Sequence, residues 1–281
     1  MTVWFITGAS RGFGLEIARE ALSRGDHVVA TARDPQAVAT ALPDGGDRLL
    51  AVELDVHRPE QIAAAVDAAV AKFGRIDALV NNAGRGLVGA VEETSDAEAR
   101  AAFDVNVFGL LDVTRAVLPH MRSQRSGLVV NLSSVGGFVS WPGWGVYCAT
   151  KFAVEGLSEA MGHELAPLGI KVTAIEPGPF RTDFLDGSSL HVSATQIDDY
   201  TASGGSARTW AAENNAGQDG DPVKAAKIIV DLAQRDELPQ RIQLGANAIN
   251  DIAEKIQRTA HDQEQWRAIG LSADFDAAIG S

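Results

Sequence analysis

Apolar residues follow one another along this chain in two alternating textures. In short runs they occupy consecutive positions: Val3–Ile6, His27–Thr31, Leu49–Leu54, Ala78–Val80, Leu128–Leu132 and Lys171–Ile175. Between the runs they recur every three or four positions, over Gly14–Arg24, Glu60–Phe73, Asp104–Met121 and Tyr147–Leu168. The first texture predicts strands covered on both faces, the second helices with one buried face. Their alternation predicts an α/β domain, a parallel sheet with helices on both sides. A last helix near Val223–Gln234 and a strand at Ile242–Leu244 complete the pattern. Asp104–Met121 carries Phe108, Leu110, Leu111, Val113, Val117 and Leu118 around most of its circumference. It reads either as a central core helix or as one that meets the sheet on one face and a second subunit on another.

The pattern breaks between Asp186 and Asp221, a stretch rich in Gly, Ser, Asn and Asp with Leu190, Ile197, Tyr200 and Trp210 interspersed. A loop this long inside a compact domain is usually functional, and its aromatic residues argue against a plain linker; it is expected to be a substrate lid. Beyond Asn247 an amphipathic helical pattern resumes and loosens near Ala273. The expected organisation is one domain over residues 1–281, with a lid over about 186–221 and a helical extension over about 247–281.

Charge narrows the partners. With 24 basic and 37 acidic residues the net charge is −13, which leaves no basic field for nucleic acid or an anionic membrane. The single cysteine, Cys148, cannot build an internal disulfide framework and fits a reducing compartment. Strand-like residues begin at Val3, and no apolar stretch reaches membrane-spanning length, so a cytoplasmic location is expected. The six histidines are scattered, with no pair at ligand spacing, and no metal is expected.

The first strand runs directly into Thr7-Gly8-Ala9-Ser10-Arg11-Gly12-Phe13-Gly14 and then a helix. Gly8 permits the turn, Gly12 lets a pyrophosphate approach the backbone, and Gly14 lets helix and sheet close together; the free N–H groups of Ser10 to Phe13 and the helix dipole favour phosphate. The second strand ends Thr31-Ala32-Arg33, where a carboxylate would accept from the ribose hydroxyls of NAD. Alanine and arginine there, with Arg11 in the glycine turn, predict a 2′-phosphate and so NADP(H) rather than NAD(H). Asp55 and Val56 close the third strand beside the adenine, and Asn81-Asn82-Ala83-Gly84 closes the fourth at the carboxyl edge where ligands sit.

Tyr147 and Lys151 stand four residues apart on a helical segment and so share one face. A neighbouring ammonium favours the phenolate, which makes the pair an acid/base device. Between Ser134 and Tyr147 the chain carries Phe138, Val139, Trp141 and Trp144, either an apolar substrate pocket or packing under the lid or against another subunit. Phe180, Phe184, Leu190 and Tyr200 are placed to close its other side. Cys148, beside the phenol, reads as a packing residue.

With these motifs in place, the chain resembles the short-chain dehydrogenase/reductase family in its single-domain branch, from Thr2 to about residue 185. The family's glycine motif corresponds to Gly8, Gly12 and Gly14, its Asn-Asn-Ala-Gly turn to Asn81–Gly84, its catalytic asparagine to Asn106, and its Pro-Gly turn to Pro177 and Gly178, with Thr182 set to meet the nicotinamide amide. Its serine matches Ser134, thirteen positions before Tyr147, with Ser133 as the local alternative. The resemblance implies a Rossmann-type doubly wound sheet of seven strands and a homodimer or homotetramer built on the helices 104–121 and 147–168. It implies that Ser134 holds a substrate oxygen, Tyr147 exchanges its proton, Lys151 lowers the phenol's pKa and binds the nicotinamide ribose, and Asn106 holds a water that links Lys151 to solvent. The implied activity is hydride transfer between NADP(H) and a bulky apolar ketone or alcohol, with Trp141, Trp144 and Phe184 around it, in the manner of retinol or hydroxysteroid dehydrogenases. NAD-linked alcohol oxidation and a non-catalytic NADP-binding regulator are the alternatives.

Overall fold

In a computed structural model, residues 1–275 are described; the end of the expected helical extension, residues 276–281, lies outside them. Seven parallel strands form the main sheet: β1 (Val3–Ile6), β2 (His27–Ala32), β3 (Leu49–Glu53), β4 (Ala78–Asn81), β6 (Gly127–Leu132), β7 (Ile170–Pro177) and β9 (Arg241–Leu244). Their order is β3-β2-β1-β4-β6-β7-β9, with Phe5 beside Val29 on one side and Leu79 on the other. The order reverses between β1 and β4, and at such a switch point the strand ends diverge and leave a crevice.

Strands apolar at every position need a layer on each face. Trp4 and Ile6 point to one face, against α1 (Gly12–Ser23) and α8 (Pro222–Asp231). Phe5 and Leu79 point to the other, against α3 (Pro59–Phe73), α5 (Leu110–Gln124) and α6 (Gly145–Leu165). Local signals set the helix ends. Pro59 opens α3 and Gly74, at φ 75°, closes it; Asp221 caps α8 by accepting from Val223 N and Lys224 N. Two shorter helices are α2 (Pro35–Ala41) and α4 (Asp96–Phe103); α4 opens on a reciprocal Ser95/Glu98 capping box.

The expected single helix 104–121 is two elements. Asp104–Gly109 is a π-helical turn and α5 follows it. Val113, Val117 and Met121 are fully buried, while Phe108 stands half exposed on the turn.

The segment 186–221 is structured rather than loose. It contains β8 (Leu190–Val192), which pairs in parallel with β5 (Gly86–Val88), a π-helical turn over Thr201–Gly205 and helix α7 (Ser206–Glu213). The last helix, α9 (Ala246–Leu271), buries only Ala248 and Ile252.

Candidate active site

At the carboxyl edge the crevice opens into one cleft of about 1160 Å³, above the roughly 300–1,000 Å³ usual for a single small ligand. Of the residues expected to serve the site, all but Gly14, Asn81, Asn106, Phe138, Val139 and Tyr200 line it.

The glycine turn is built for close approach. Gly8 and Gly12 have positive φ, 65° and 55°. A Cβ on Gly14 would lie 2.5 Å from both Asn82 Nδ2 and the Gly8 carbonyl oxygen, so α1 rests directly on the β4 turn. Asn82 staples the two: its Nδ2 donates to the carbonyls of Thr7 and Gly8 at 2.8 and 3.0 Å. Thr7 Oγ1 accepts from Asn82 N and Ala83 N, both at 3.0 Å. Gly12 faces only the Thr182 side chain, at 3.6 Å or more, so its backbone is open to the cleft. A cradle of this shape, glycine-lined at a helix N-terminus, fits a dinucleotide pyrophosphate.

Ser134 Oγ accepts from Gly136 N at 3.0 Å. Its own proton is therefore free to be given to a ligand oxygen. The Tyr147 ring comes close to Ser134 at Gly136, where a Cβ would lie 3.3 Å from Ser134 Oγ and 3.4 Å from Tyr147 Cε1. Ser133, the local alternative, also lines the cleft, but its Oγ is buried without a hydrogen-bond partner and lies 2.5 Å from where a Cβ on Gly137 would be, on the side of Glu155.

The expectation that Lys151 sets the acidity of Tyr147 needs revision for this state. Burial comes first and pushes the phenol well above its ordinary range; the hydrogen bond with Ser134 acts the other way. Lys151 Nζ lies 6.0 Å from the phenol ring centroid and donates to the Leu132 carbonyl at 2.7 Å. Burial lowers the lysine to about 8, partly countered by the charge of Glu155. A function that needs the ammonium is thus complete below that value and fades as pH rises through it. The expected kcat/KM profile has an alkaline limb near pH 8, and Lys151→Arg, whose charge persists, removes the limb.

Asn106 sits in the π-helical turn, a geometry frequent at functional sites. Its Oδ1 accepts from Arg85 N at 2.9 Å, and its Nδ2 donates to the Arg85 carbonyl at 3.0 Å and to Thr150 Oγ1 at 2.9 Å. Its side chain thereby braces the 84–85 turn against α6. Arg11 lines the cleft, and its Nη2 donates to the Ser188 carbonyl and Ser189 Oγ, both at 2.9 Å, which ties it to the 186–221 segment. Arg33 lines the cleft near Asp55; burial raises the Asp55 carboxyl, but His57 and, to a smaller degree, Arg33 hold it below the usual range.

An aromatic wall surrounds the phenol. Phe184 packs on Tyr147 with centroids 5.4 Å apart, and Trp144 meets Tyr147 edge-on at 5.9 Å. Trp210 meets Trp144 edge-on at 6.3 Å. Trp210 was not expected at the site; an isolated tryptophan within a Gly/Ser/Asn-rich segment was the available signal. Leu190 joins the wall, but Tyr200 does not: its hydroxyl donates to Glu92 at 2.5 Å, outside the cleft. Phe180 packs on Phe13, 5.1 Å between centroids, and closes the glycine-turn side instead. Cys148 is buried, and burial raises its thiol, as expected for packing.

Two carboxylates fasten this wall to the body. Glu93 accepts from Arg208 Nη1 at 2.6 Å, Ala90 N at 2.8 Å and Ile197 N at 3.0 Å. Glu98 accepts from Ala194 N at 2.9 Å and pairs with His191 at 3.0 Å. The Arg208 hydrogen bond is the largest influence on Glu93; for Glu98 burial is largest but is outweighed by the hydrogen bonds, and both acids fall to about 2. Folded values below the unfolded 4.5 mean the ties are complete above that pH and are lost as pH falls toward 2. Acidification from pH 5 is expected to red-shift tryptophan emission within that window.

Comparison with known proteins decides the family. The short chain dehydrogenase model matches residues 2–192. The chain belongs to the short-chain dehydrogenase/reductase family. It is 37 % identical over 272 residues to the oxidoreductase BOA17 of Botryotinia fuckeliana, covering 96 % of this chain and 98 % of that one. It is 41 % identical over 199 residues to a 3-ketodihydrosphingosine reductase of Bacteroides thetaiotaomicron, covering 70 % and 71 %. Among solved members of the family, a short-chain dehydrogenase from Streptomyces avermitilis superposes with TM-score 0.90 at 39 % identity, covering 98 % and 100 %. A Burkholderia phymatum member solved with NAD gives 0.80 at 27 % identity, covering 95 % of each, and ElxO with NADP bound gives 0.73 at 27 %, covering 89 % and 99 %. The chain is an oxidoreductase of this family with a nicotinamide-cofactor fold. Among the described residues no helix is long and apolar enough to cross a membrane.

Proposed function

We propose that this protein is an NADP(H)-dependent carbonyl reductase or alcohol dehydrogenase of bulky, apolar ketones or secondary alcohols. The observation that carries the reading is the placing of Ser134 Oγ and the Tyr147 ring side by side at Gly136, against a wall of Trp144, Trp210 and Phe184. Ser134 gives its free proton to the carbonyl oxygen as a hydrogen bond and fixes it. Tyr147, held protonated by burial, donates to that oxygen as the carbon is reduced, and takes the proton back in oxidation. Lys151 stabilises the charge left on the phenolate. The nicotinamide, when bound, supplies or accepts the hydride. Gly8, Ser10, Gly12 and Phe13 would hold its pyrophosphate, Asp55 and Val56 the adenine, and Pro177, Gly178 and Thr182 the nicotinamide end. The relative from Bacteroides thetaiotaomicron is named as a reductase of a ketone, 3-ketodihydrosphingosine, which supports the reaction class.

The preference for NADP(H) rests on Ala32 and Arg33 at the end of β2, with Arg33 as the cation that meets the 2′-phosphate. Relatives of known structure carry either cofactor, so the preference is a property of these side chains. Losing one charge-assisted hydrogen bond costs about 1.5–3 kcal/mol. Arg33→Ala is therefore expected to weaken NADPH about tenfold or more and leave NADH nearly unchanged, read by fluorescence titration of both. Equal weakening of the two would return the choice to NAD(H).

The segment 186–221 acts in this reading as the substrate lid. Phe108 and Phe152, half exposed on the turn before α5 and on α6, support pairing of two copies through these helices in a homodimer or homotetramer. A single buried thiol fits a cytoplasmic enzyme. The test of the proposal is a panel of small and bulky aldehydes, ketones and alcohols with NADPH, NADH and their oxidised forms. Turnover of bulky ketones with NADPH supports it; turnover confined to small polar carbonyls, or no turnover with any pair, overturns it.

A further inference from the structure

Behind Lys151, on the side away from the cleft, two acids are buried against each other. Glu155 is one helical turn beyond Lys151 on α6, and Glu176 is the seventh residue of β7; they are 5 % and 0 % exposed. One oxygen of each is satisfied. Glu155 Oε2 accepts from Arg241 Nε at 2.8 Å, and Glu176 Oε2 accepts from Gln243 Nε2. The other oxygen of each, Oε1 in both, is buried with no hydrogen-bond partner. Yet the two carboxyl groups converge on one guanidinium nitrogen: Arg241 Nε lies 2.8 Å from Glu155 Oε2 and 3.9 Å from Glu176 Oε1. Two carboxylate anions in that position would repel and would each leave a lone pair unmet, a combination buried sites do not sustain. A single proton between them satisfies both oxygens at once.

The surrounding charges decide what the remaining anion does. Arg241 faces the pair from β9, but its Nη2 also binds Glu159 of α6 at 2.6 Å, so one acid outside the pair already offsets its charge. Ser133, from the end of β6, contributes a neutral hydroxyl. Lys151 stands one helical turn before Glu155, whose charge acts to keep it protonated against burial. Burial and the neighbouring Glu155 in turn push Glu176 upward, which is the direction a shared proton requires.

We propose that Glu155 and Glu176 hold one proton between them and, as a unit of charge −1, keep Lys151 an ammonium over the pH range in which the site works. Glu155 and Glu176 are positioning residues: they touch neither substrate nor cofactor and act through Lys151. This part rests on the reductase reading of the site, whereas the shared proton does not.

The design predicts an unusual pattern of substitution. In E176Q the amide N–H replaces the shared proton as donor to Glu155, and the unit keeps its charge. In E155Q the anion passes to Glu176. Each single variant therefore retains the alkaline limb of kcat/KM close to its wild-type position. The double variant E155Q/E176Q removes the charge, and the limb moves to lower pH by about one unit. The proton itself is visible without turnover. Infrared spectra at pH 7, where exposed carboxyls are ionised, show a protonated-carboxyl carbonyl band in the wild type that both single variants abolish. Absence of that band, or its survival in both variants, overturns the shared proton whether or not the protein is a reductase. A band that behaves as expected with an alkaline limb unmoved in the double variant overturns the link to Lys151. If no carbonyl is turned over, the reductase reading fails and the infrared result still judges the pair.

Discussion

Tyr147→Phe is expected to lower kcat by about 10²–10⁴-fold, the usual contribution of one positioned proton donor, while NADPH binds almost as before. The separation follows from where the hydroxyl sits. The ring is held by Trp144 and Phe184, and phenylalanine keeps both contacts. Ser134 Oγ keeps its hydrogen bond from Gly136 N after the change. The glycine cradle lies on other elements, β1, α1 and β4. The variant thus loses the group that exchanges a proton with substrate and little else. The measurement pairs steady-state kinetics on a reduced ketone with fluorescence titration of NADPH. Loss of cofactor affinity matching the loss of rate would mean that the phenol serves binding, and retained turnover would mean that another group supplies the proton.

Glu93→Ala is expected to be the most destabilising single change outside the sheet. It removes the acceptor for Arg208, Ala90 N and Ile197 N in one step, from a side chain that is 1 % exposed. Removing one member of a buried ion pair strands its partner, at about 3–5 kcal/mol. Arg208 belongs to α7, which also presents Trp210 to Trp144. The expected result is a lower unfolding midpoint together with a raised KM for bulky ketones and a smaller effect on kcat. Replacing Arg208 by methionine in the same chain removes the stranded charge and is expected to recover part of the loss, which a double-mutant cycle measures. Additive losses would show that the pair does not hold the lid.

How legible the molecule is in its sequence depends on how local the deciding physics is. Strands such as Val3–Ile6 and Leu128–Leu132 declare themselves because burial on both faces demands apolar residues at every position. The glycine turn is legible because backbone conformation and close approach fix residue type at Gly8, Gly12 and Gly14. The spacing of Ser134, Tyr147 and Lys151 survives translation into space because α6 holds two of them and the end of β6 the third. What escapes is set by tertiary contact. The three-residue strands β5 and β8 are too short to show a period. Helix α7 is written in Ser, Ala, Arg and Thr, and its stability comes from Glu93, more than a hundred residues earlier. Arg11 looks like a phosphate ligand by type and position, and its bonds to the distant Ser188 carbonyl and Ser189 leave no mark on the local sequence. The π-helical turn at Asp104–Gly109 carries the same apolar spacing as the α-helix after it, so periodicity merges the two. The state of Tyr147 is likewise invisible to spacing, because burial is the largest influence on its phenol.

The most direct test follows the hydride itself. NADPH deuterated at nicotinamide C4 on either face, supplied with a bulky ketone that the protein reduces, should leave deuterium on the carbinol carbon of the product from one face only, as read by mass spectrometry. Deuterium from neither face, in a protein that binds NADPH and consumes the ketone, would contradict hydride transfer in this cleft.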